Sequence, residues 1–201
     1  SFGQLAWLDA RTTSGDWRVA TDFSGLPTWI VKAVGGATVH WAGASLRFQP
    51  HEWKARTTYG SVLGASLLDW PIDSKEMAPW YKKAEDKLGV TRTGGRKGLP
   101  GNNNYKVFEA GSKKLGYKNV HTGRMAINAQ DYDGRSSCQQ AGFCFQGCKY
   151  GAKWSAAYTD IPRGEATGNL EVREQSHVLR IEHNKAGKVT GVVYADKDGK
   201  E

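Results

Sequence analysis

Proline and cysteine are scarce in this sequence, with six prolines and three cysteines in 201 residues. An odd cysteine count cannot be satisfied by disulfides alone, which excludes a fully disulfide-stapled scaffold. No apolar run approaches the roughly 18 residues that a spanning helix needs, so the sequence offers no direct membrane span. The first residues, Ser1 to Trp7, lack a basic stretch followed by an apolar core, which excludes a signal peptide there. They also lack an initiating methionine, and Glu201 follows closely on a strand-like run, so both ends read as cut from something longer. The lysines and arginines form no dense run and no nucleic-acid motif. The formal net charge of +8 is therefore read as a basic surface, or a docking face for an anionic partner, and no nucleic acid is expected. No internal repeat and no low-complexity segment interrupts the chain.

What is present is enough to build a core. Apolar residues make up 39% and aromatics 11%, with eight tryptophans, a composition that a disordered chain does not have. Glycine is abundant at 25 residues and follows no period, which points to many tight turns. Turn signals fall at Ser14-Gly15-Asp16 and Ser24-Gly25-Leu26-Pro27 within a mixed polar and aromatic stretch, residues 1–31. Residues 73–88 carry a helical pattern in Met77, Trp80, Tyr81, Ala84 and Leu88, with Asp73 as N-cap, Glu76 completing a capping box and Gly89 as the stop. Pro79 is expected to split this segment into a short turn and a helix from about residue 78. Residues 91–104 read as an exposed loop. A second helix is expected near 105–116, with Tyr105, Phe108 and Leu115 inward and Gly116 ending it. From residue 169 the pattern turns strand-like. Leu170 and Val172 alternate with polar residues, and the runs from Val178 to Ile181 and from Val189 to Tyr194 flank Asn184-Lys185-Ala186-Gly187, a hairpin turn. The aliphatics around Val189–Val193 are expected in the core.

Two segments carry chemistry. Cys138, Cys144 and Cys148 lie within eleven residues, interrupted by Gly142 and Gly147, so three thiolates can converge on one point. Structural zinc usually takes four ligands in paired spacing, which this arrangement does not supply without a distant histidine. Plain buried cysteines and an iron–sulfur cluster are the other readings. Three thiolates suit a three-iron cluster, whereas a four-iron cluster needs a fourth ligand such as Ser137. The second segment, Val34-Gly35-Gly36-Ala37-Thr38-Val39-His40-Trp41-Ala42-Gly43, has paired glycines that let the backbone approach a flat or phosphorylated ligand. It is not the G-x-G-x-x-G fingerprint, and a tight turn before a strand is the plain alternative.

The second segment resembles the flavin-contacting loop of the glucose–methanol–choline (GMC) oxidoreductases, in particular the bacterial branch of gluconate, sorbitol, fructose and FAD-dependent glucose dehydrogenases. Arg47-Phe48-Gln49-Pro50 and Asp69-Trp70-Pro71-Ile72, leading to Met77-Ala78-Pro79-Trp80-Tyr81 and Glu85, fit that branch. Gly142-Phe143-Cys144-Phe145-Gln146-Gly147-Cys148, followed by Gly151-Ala152-Lys153-Trp154-Ser155, is similar to its three-iron cluster region. Ile161-Pro162, Thr167-Gly168-Asn169-Leu170, and Val178 before Gly187-Lys188-Val189-Thr190-Gly191-Val192 resemble its return into the flavin domain.

The resemblance implies an α+β or α/β fragment of a GMC-type flavoprotein, part FAD-binding domain and part substrate-binding domain, with a Cys-rich cluster loop. It divides the chain into an FAD-domain portion (1–90), a loop, helix and cluster segment (91–155) and a return to the FAD domain with a β-hairpin (156–201). It implies FAD at Gly35, Gly36, Ala37 and Thr38, with His40 and Trp41 lining the flavin face and Val178 beside the adenine. It implies a cluster on Cys138, Cys144 and Cys148, three-iron in preference to four-iron. The function implied is oxidation of a sugar, sugar acid or polyol hydroxyl, with electrons leaving through the cluster to a multi-haem cytochrome c subunit. A small chaperone-like subunit would accompany it, in the periplasm, membrane-associated through a partner. The family's dinucleotide fingerprint and its catalytic histidine region have no counterpart in the sequence, so no catalytic acid or base is assigned. His51, His121, His177 and His183 are read as surface or structural. A metal-stabilised interaction module without catalysis, and a cluster-free oxidase of the same family, are the competing functions.

Overall fold

The computed structural model describes Val31 and residues 33–201. The turn signals at Ser14-Gly15-Asp16 and Ser24-Gly25-Leu26-Pro27 lie outside the described residues.

Five helices and a two-stranded sheet are described, in the order α1 (Pro50–Trp53), α2 (Ala55–Tyr59), α3 (Ser74–Leu88), α4 (Asn103–Lys114), α5 (Asp160–Ala166), β1 (His177–His183) and β2 (Val189–Ala195). Short 3-10 turns occupy Gly36–Val39, Cys144–Gln146 and Ala156–Tyr158. No described helix is long and apolar enough to cross a membrane.

Helix α3 begins where Asp73 accepts hydrogen bonds from the Lys75 and Glu76 amides, and it stops at Gly89 in the left-handed conformation (φ +71°). Pro79 does not split it. The proline sits inside one continuous helix and is exposed, as is Lys75, whose carbonyl loses its amide partner but can bind water instead. The apolar spacing does not mark its buried face. Trp80 is 60% exposed and Ala84 is exposed, while the buried position is a charged one, Glu85.

Helix α4 starts on Asn102, whose side chain accepts from the Tyr105 amide. At its end the Gly116 amide bonds to the Lys113 carbonyl and the Tyr117 amide to Ser112, the paired bonds of a Schellman stop. Tyr105 is half-buried, but Phe108 and Leu115, expected inward, are 68% and 79% exposed. Residues 91–102 form the irregular loop expected over 91–104, helix α4 having already begun at Asn103, and Thr91 in it is buried.

The hairpin forms as the sequence predicts. Strands β1 and β2 pair antiparallel from His177↔Ala195 to His183↔Val189, with irregularities between Val178 and Arg180 and between Glu182 and His183. Asn184 closes the turn, its side chain accepting from the Ala186 and Lys188 amides. Leu170 and Val172 form no strand. The hairpin aliphatics are not core among the described residues, since Val189 and Val192 are more than half exposed. A two-stranded ribbon can bury side chains only against a third element.

The buried centre lies elsewhere and is largely polar. Segment 124–128 is its spine. Ser45 donates to the Arg124 carbonyl and Ala126 to the Gly43 carbonyl, while Trp154 donates to the Ala126 carbonyl and Asn128 to the Ala152 carbonyl. Ala126, Ile127 and Ala152 are buried along it, with Asn128, Lys153 and Ser155 beside them. A separate aromatic cluster packs Phe48, Trp70 and Tyr81 around buried Trp53 at centroid distances of 5.4, 5.9 and 6.4 Å.

Candidate functional site

The spine brings the two chemistry-bearing segments together, one bridging at Ala44–Met125 and the other at Ile127–Lys153. Gly35 has φ +88° and caps the turn Gly36–Val39. A Cβ there would lie 2.6 Å from the Ala157 Cβ, so this glycine is required by the chain's own packing. Gly36 differs. Its φ is +56°, and a Cβ would meet nothing within 4 Å, so its backbone is open to close approach. Thr38 Oγ1 donates to the Gly35 carbonyl at 2.5 Å. A hydroxyl has one proton to give, so Ser155 Oγ, 3.2 Å away, is the donor in the bond between the two hydroxyls.

His40 and Trp41 both reach toward the cysteine segment. His40 Nδ1 lies 2.7 Å from the Phe145 carbonyl, and because a carbonyl only accepts, that nitrogen carries the proton. Trp41 Nε1 donates to the Trp154 carbonyl at 2.9 Å, and the two indoles meet edge-on with centroids 6.3 Å apart. Trp154's own Nε1 is shut away from solvent with no acceptor among the described residues. A buried indole N–H usually finds a partner.

The cysteine segment is held by the same junction. Cys138 donates its amide to the Asn128 carbonyl on the spine, and its Sγ accepts from the Gln140 amide at 3.3 Å. All three thiols are free and half-buried. Burial pushes the Cys144 thiol above its ordinary range, with Cys138 and Cys148 adding to the effect and Lys153 opposing it. Cys138 and Cys148 are thus both within electrostatic reach of Cys144. Burial, followed by Cys148, pushes Tyr158 up to about 12, and its hydroxyl donates to the Lys153 carbonyl.

Among the described residues no three His, Cys, Asp or Glu side chains converge into a group that would hold a metal ion. A single zinc needs sulfurs about 4 Å apart, since Zn–S bonds are about 2.3 Å in tetrahedral geometry. The arrangement does not make such a site. A cluster asks for something wider, because each thiolate takes a different iron.

Lys153 joins the two segments. It is fully buried, and its ammonium donates at 2.7 Å to the carbonyls of Val39, Trp41 and Cys144. Burial pulls its pKa below the ordinary lysine range, while Cys144 and Cys148 act in the opposite direction. The sequence signal was one lysine between small and aromatic neighbours in Gly151-Ala152-Lys153-Trp154-Ser155, which by itself names no role. Val178 is placed differently. It lies on β1 opposite Tyr194, 53% exposed, and among the described residues no hydrogen bond or ring contact ties it to this junction.

A second polar centre was also missed. Glu85 is buried on α3 and accepts a two-pronged bond from Arg47, Nε at 2.7 Å and Nη2 at 2.6 Å, with Arg124 Nη1 at 3.3 Å. The Glu85 bond raises the Arg47 pKa against the effect of burial. An open cleft flanked by these residues, Lys82 and Arg92 lies above the pair.

A paired-glycine turn and a free-thiol loop thus meet across one spine. The profile of the GMC oxidoreductase family matches residues 25–201, and the chain belongs to that family. It is similar to the fructose dehydrogenase large subunit of Gluconobacter japonicus, 28% identical over 84% of this chain and 32% of that protein. It is 32% identical to the paromamine 6'-oxidase of Streptomyces fradiae, over 95% of this chain and 35% of the relative. It is 24% identical to the gluconate 2-dehydrogenase flavoprotein of Pantoea cypripedii, over 83% of this chain and 33% of the relative. The chain spans about a third of the length of the curated relatives it matches.

Proposed function

We propose that this chain is the electron-exit portion of an FAD-dependent dehydrogenase acting on a sugar, sugar acid or polyol hydroxyl. Family membership and the names of two relatives, a fructose and a gluconate dehydrogenase, support the substrate class. In this reading 1–90 belongs to the FAD domain, 91–155 carries the cluster and part of the substrate domain, and 156–201 returns to the FAD domain.

When bound, FAD supplies hydride acceptance from the carbinol carbon, and an iron–sulfur cluster supplies single-electron exit. The open backbone at Gly36 gives the flavin room, with Gly35, Ala37 and Thr38 fixing the turn beneath it. His40 and Trp41 are tied to the cysteine segment and line the flavin face. Trp154's unsatisfied indole N–H offers a donor to a cofactor oxygen or an inorganic sulfide. Cys138, Cys144 and Cys148 are free and half-buried, and Cys138 and Cys148 both act on the Cys144 thiol. The Gln140 amide already bonds to one of these sulfurs. Val178 is assigned to the adenine side. No group in this chain is assigned as catalytic acid or base. Electrons would pass to a multi-haem cytochrome c subunit, with a small chaperone-like subunit, in the periplasm.

The observation that carries the proposal is the hydrogen-bonded junction between the glycine turn and the cysteine segment. The test is metal, acid-labile sulfide and flavin analysis of the intact protein prepared anaerobically. Iron and sulfide in proportion to FAD, lost together in Cys144→Ser, are expected. A second reading, a cluster-free oxidase, is favoured by the relative named as an oxidase. Flavin without iron, together with rapid oxygen consumption, would establish it. Zinc without flavin would establish the interaction module.

A further inference from the structure

Lys153 carries more than a structural tie requires. Its ammonium has three N–H donors, and three carbonyls take them at 2.7 Å, those of Val39 and Trp41 on the glycine-turn side and that of Cys144 on the cysteine side. No carboxylate among the described residues forms an ion pair with it. Its backbone is fixed as well, because segment 152–154 pairs with the spine and the Tyr158 hydroxyl donates to the Lys153 carbonyl. A neutral amide side chain or a backbone N–H would join two loops at less desolvation cost. Buried charge is kept where a compensating charge comes to sit nearby. The groups able to supply it are the thiolates of Cys144 and Cys148, once they ligate a metal.

We propose that Lys153 is a positioning residue that locks the glycine turn and the cysteine segment into one unit and sets a fixed positive charge beside the cysteine ligands. The second half rests on the cluster reading above. A cluster held by these thiolates would be anionic, and a cation in a low-dielectric interior would favour its gaining an electron. Lys153 would thereby raise the potential at which such a cluster accepts electrons, while its three bonds hold the cysteine segment to the glycine turn.

The test compares Lys153→Met, which keeps the length without the charge, with Lys153→Arg, which keeps the charge, both in the intact protein. A redox titration followed by electron paramagnetic resonance is the first readout. For Lys153→Met the reduction equilibrium is expected to shift at least tenfold toward the oxidised form, about 59 mV for a one-electron couple, with Lys153→Arg recovering part of it. Loss of iron in Lys153→Met with retention in Lys153→Arg also supports the proposal. An unchanged midpoint at full iron and flavin content overturns the redox half, as does equal loss of iron from both variants. Iron-free wild-type protein ends the cluster reading, and with it that half. The lock is decided separately by alkylation of the metal-free protein with iodoacetamide. Cys144 is expected to react at least tenfold faster in Lys153→Met than in wild type or Lys153→Arg, and equal rates overturn the lock.

Discussion

Replacing Arg47 with methionine is expected to destabilise the protein more than replacing Glu85 with glutamine, although each change breaks the same ion pair. The asymmetry follows from burial. The Glu85 side chain is 6% exposed, whereas those of Arg47 and Arg124 are 32% and 37% exposed. In Arg47→Met the carboxylate stays buried and keeps only the 3.3 Å contact to Arg124. Removing one member of a buried pair costs about 3–5 kcal/mol, and the surviving contact brings this to roughly 2–3 kcal/mol. In Glu85→Gln the two guanidinium groups turn to water, and the loss is closer to one hydrogen bond to a charged group, about 1.5 kcal/mol. At about 2–4 °C per kcal/mol for a domain of this size, Arg47→Met lowers Tm by roughly 5–10 °C and Glu85→Gln by about half as much. Combining the two should recover stability relative to Arg47→Met alone, because the stranded charge is gone. Thermal unfolding of the intact protein at neutral pH, read by circular dichroism, decides the matter. Equal shifts for the single variants, or a double variant weaker than Arg47→Met, would refute the reasoning.

Gly35→Ala must fit a Cβ 2.6 Å from the Ala157 Cβ at φ +88°, and overpacking with left-handed strain together cost about 3 kcal/mol. Gly36→Ala meets open space, so strain of about 1 kcal/mol is the only stability cost; if the flavin reading holds, it lowers flavin content more than its small Tm shift suggests. Backbone bonds from Glu76 and then Lys75 hold the Asp73 carboxyl below the usual range. Its contribution to α3 is therefore full above the unfolded value near 3.9 and is lost as pH falls through the lower folded value. An acid titration should show Asp73→Asn missing that part of the loss, while Asp69 and Asp86, also lowered, keep theirs. The 201-residue chain expressed by itself should not retain FAD through gel filtration, and stoichiometric flavin absorbance would contradict this.

Local signals were legible in the sequence. Asp73 and Gly89 bound α3 because a cap and a left-handed stop depend on residues a few positions apart. Asn184 and Gly187 make the hairpin for the same reason. The cysteine and glycine motifs were visible as motifs, and their meeting was implied only by resemblance. What the sequence did not disclose depends on partners far along the chain. Lys153 bonds to Val39, 114 residues away, and Arg47 to Glu85, 38 residues away. Helical periodicity marked Phe108 and Leu115 as inward because it weighs apolarity, and on α3 it cannot see that Arg47 and Arg124 make Glu85 the buried position. Pro79 was overread, since a proline on an exposed helix face can leave its orphaned carbonyl to water.

Ala126 gives its amide proton to Gly43 and its carbonyl to Trp154. Both segments therefore hang from one residue, at a bend in the chain. Peptide groups make that joint, so substitutions in either loop can change what lies around it without loosening it.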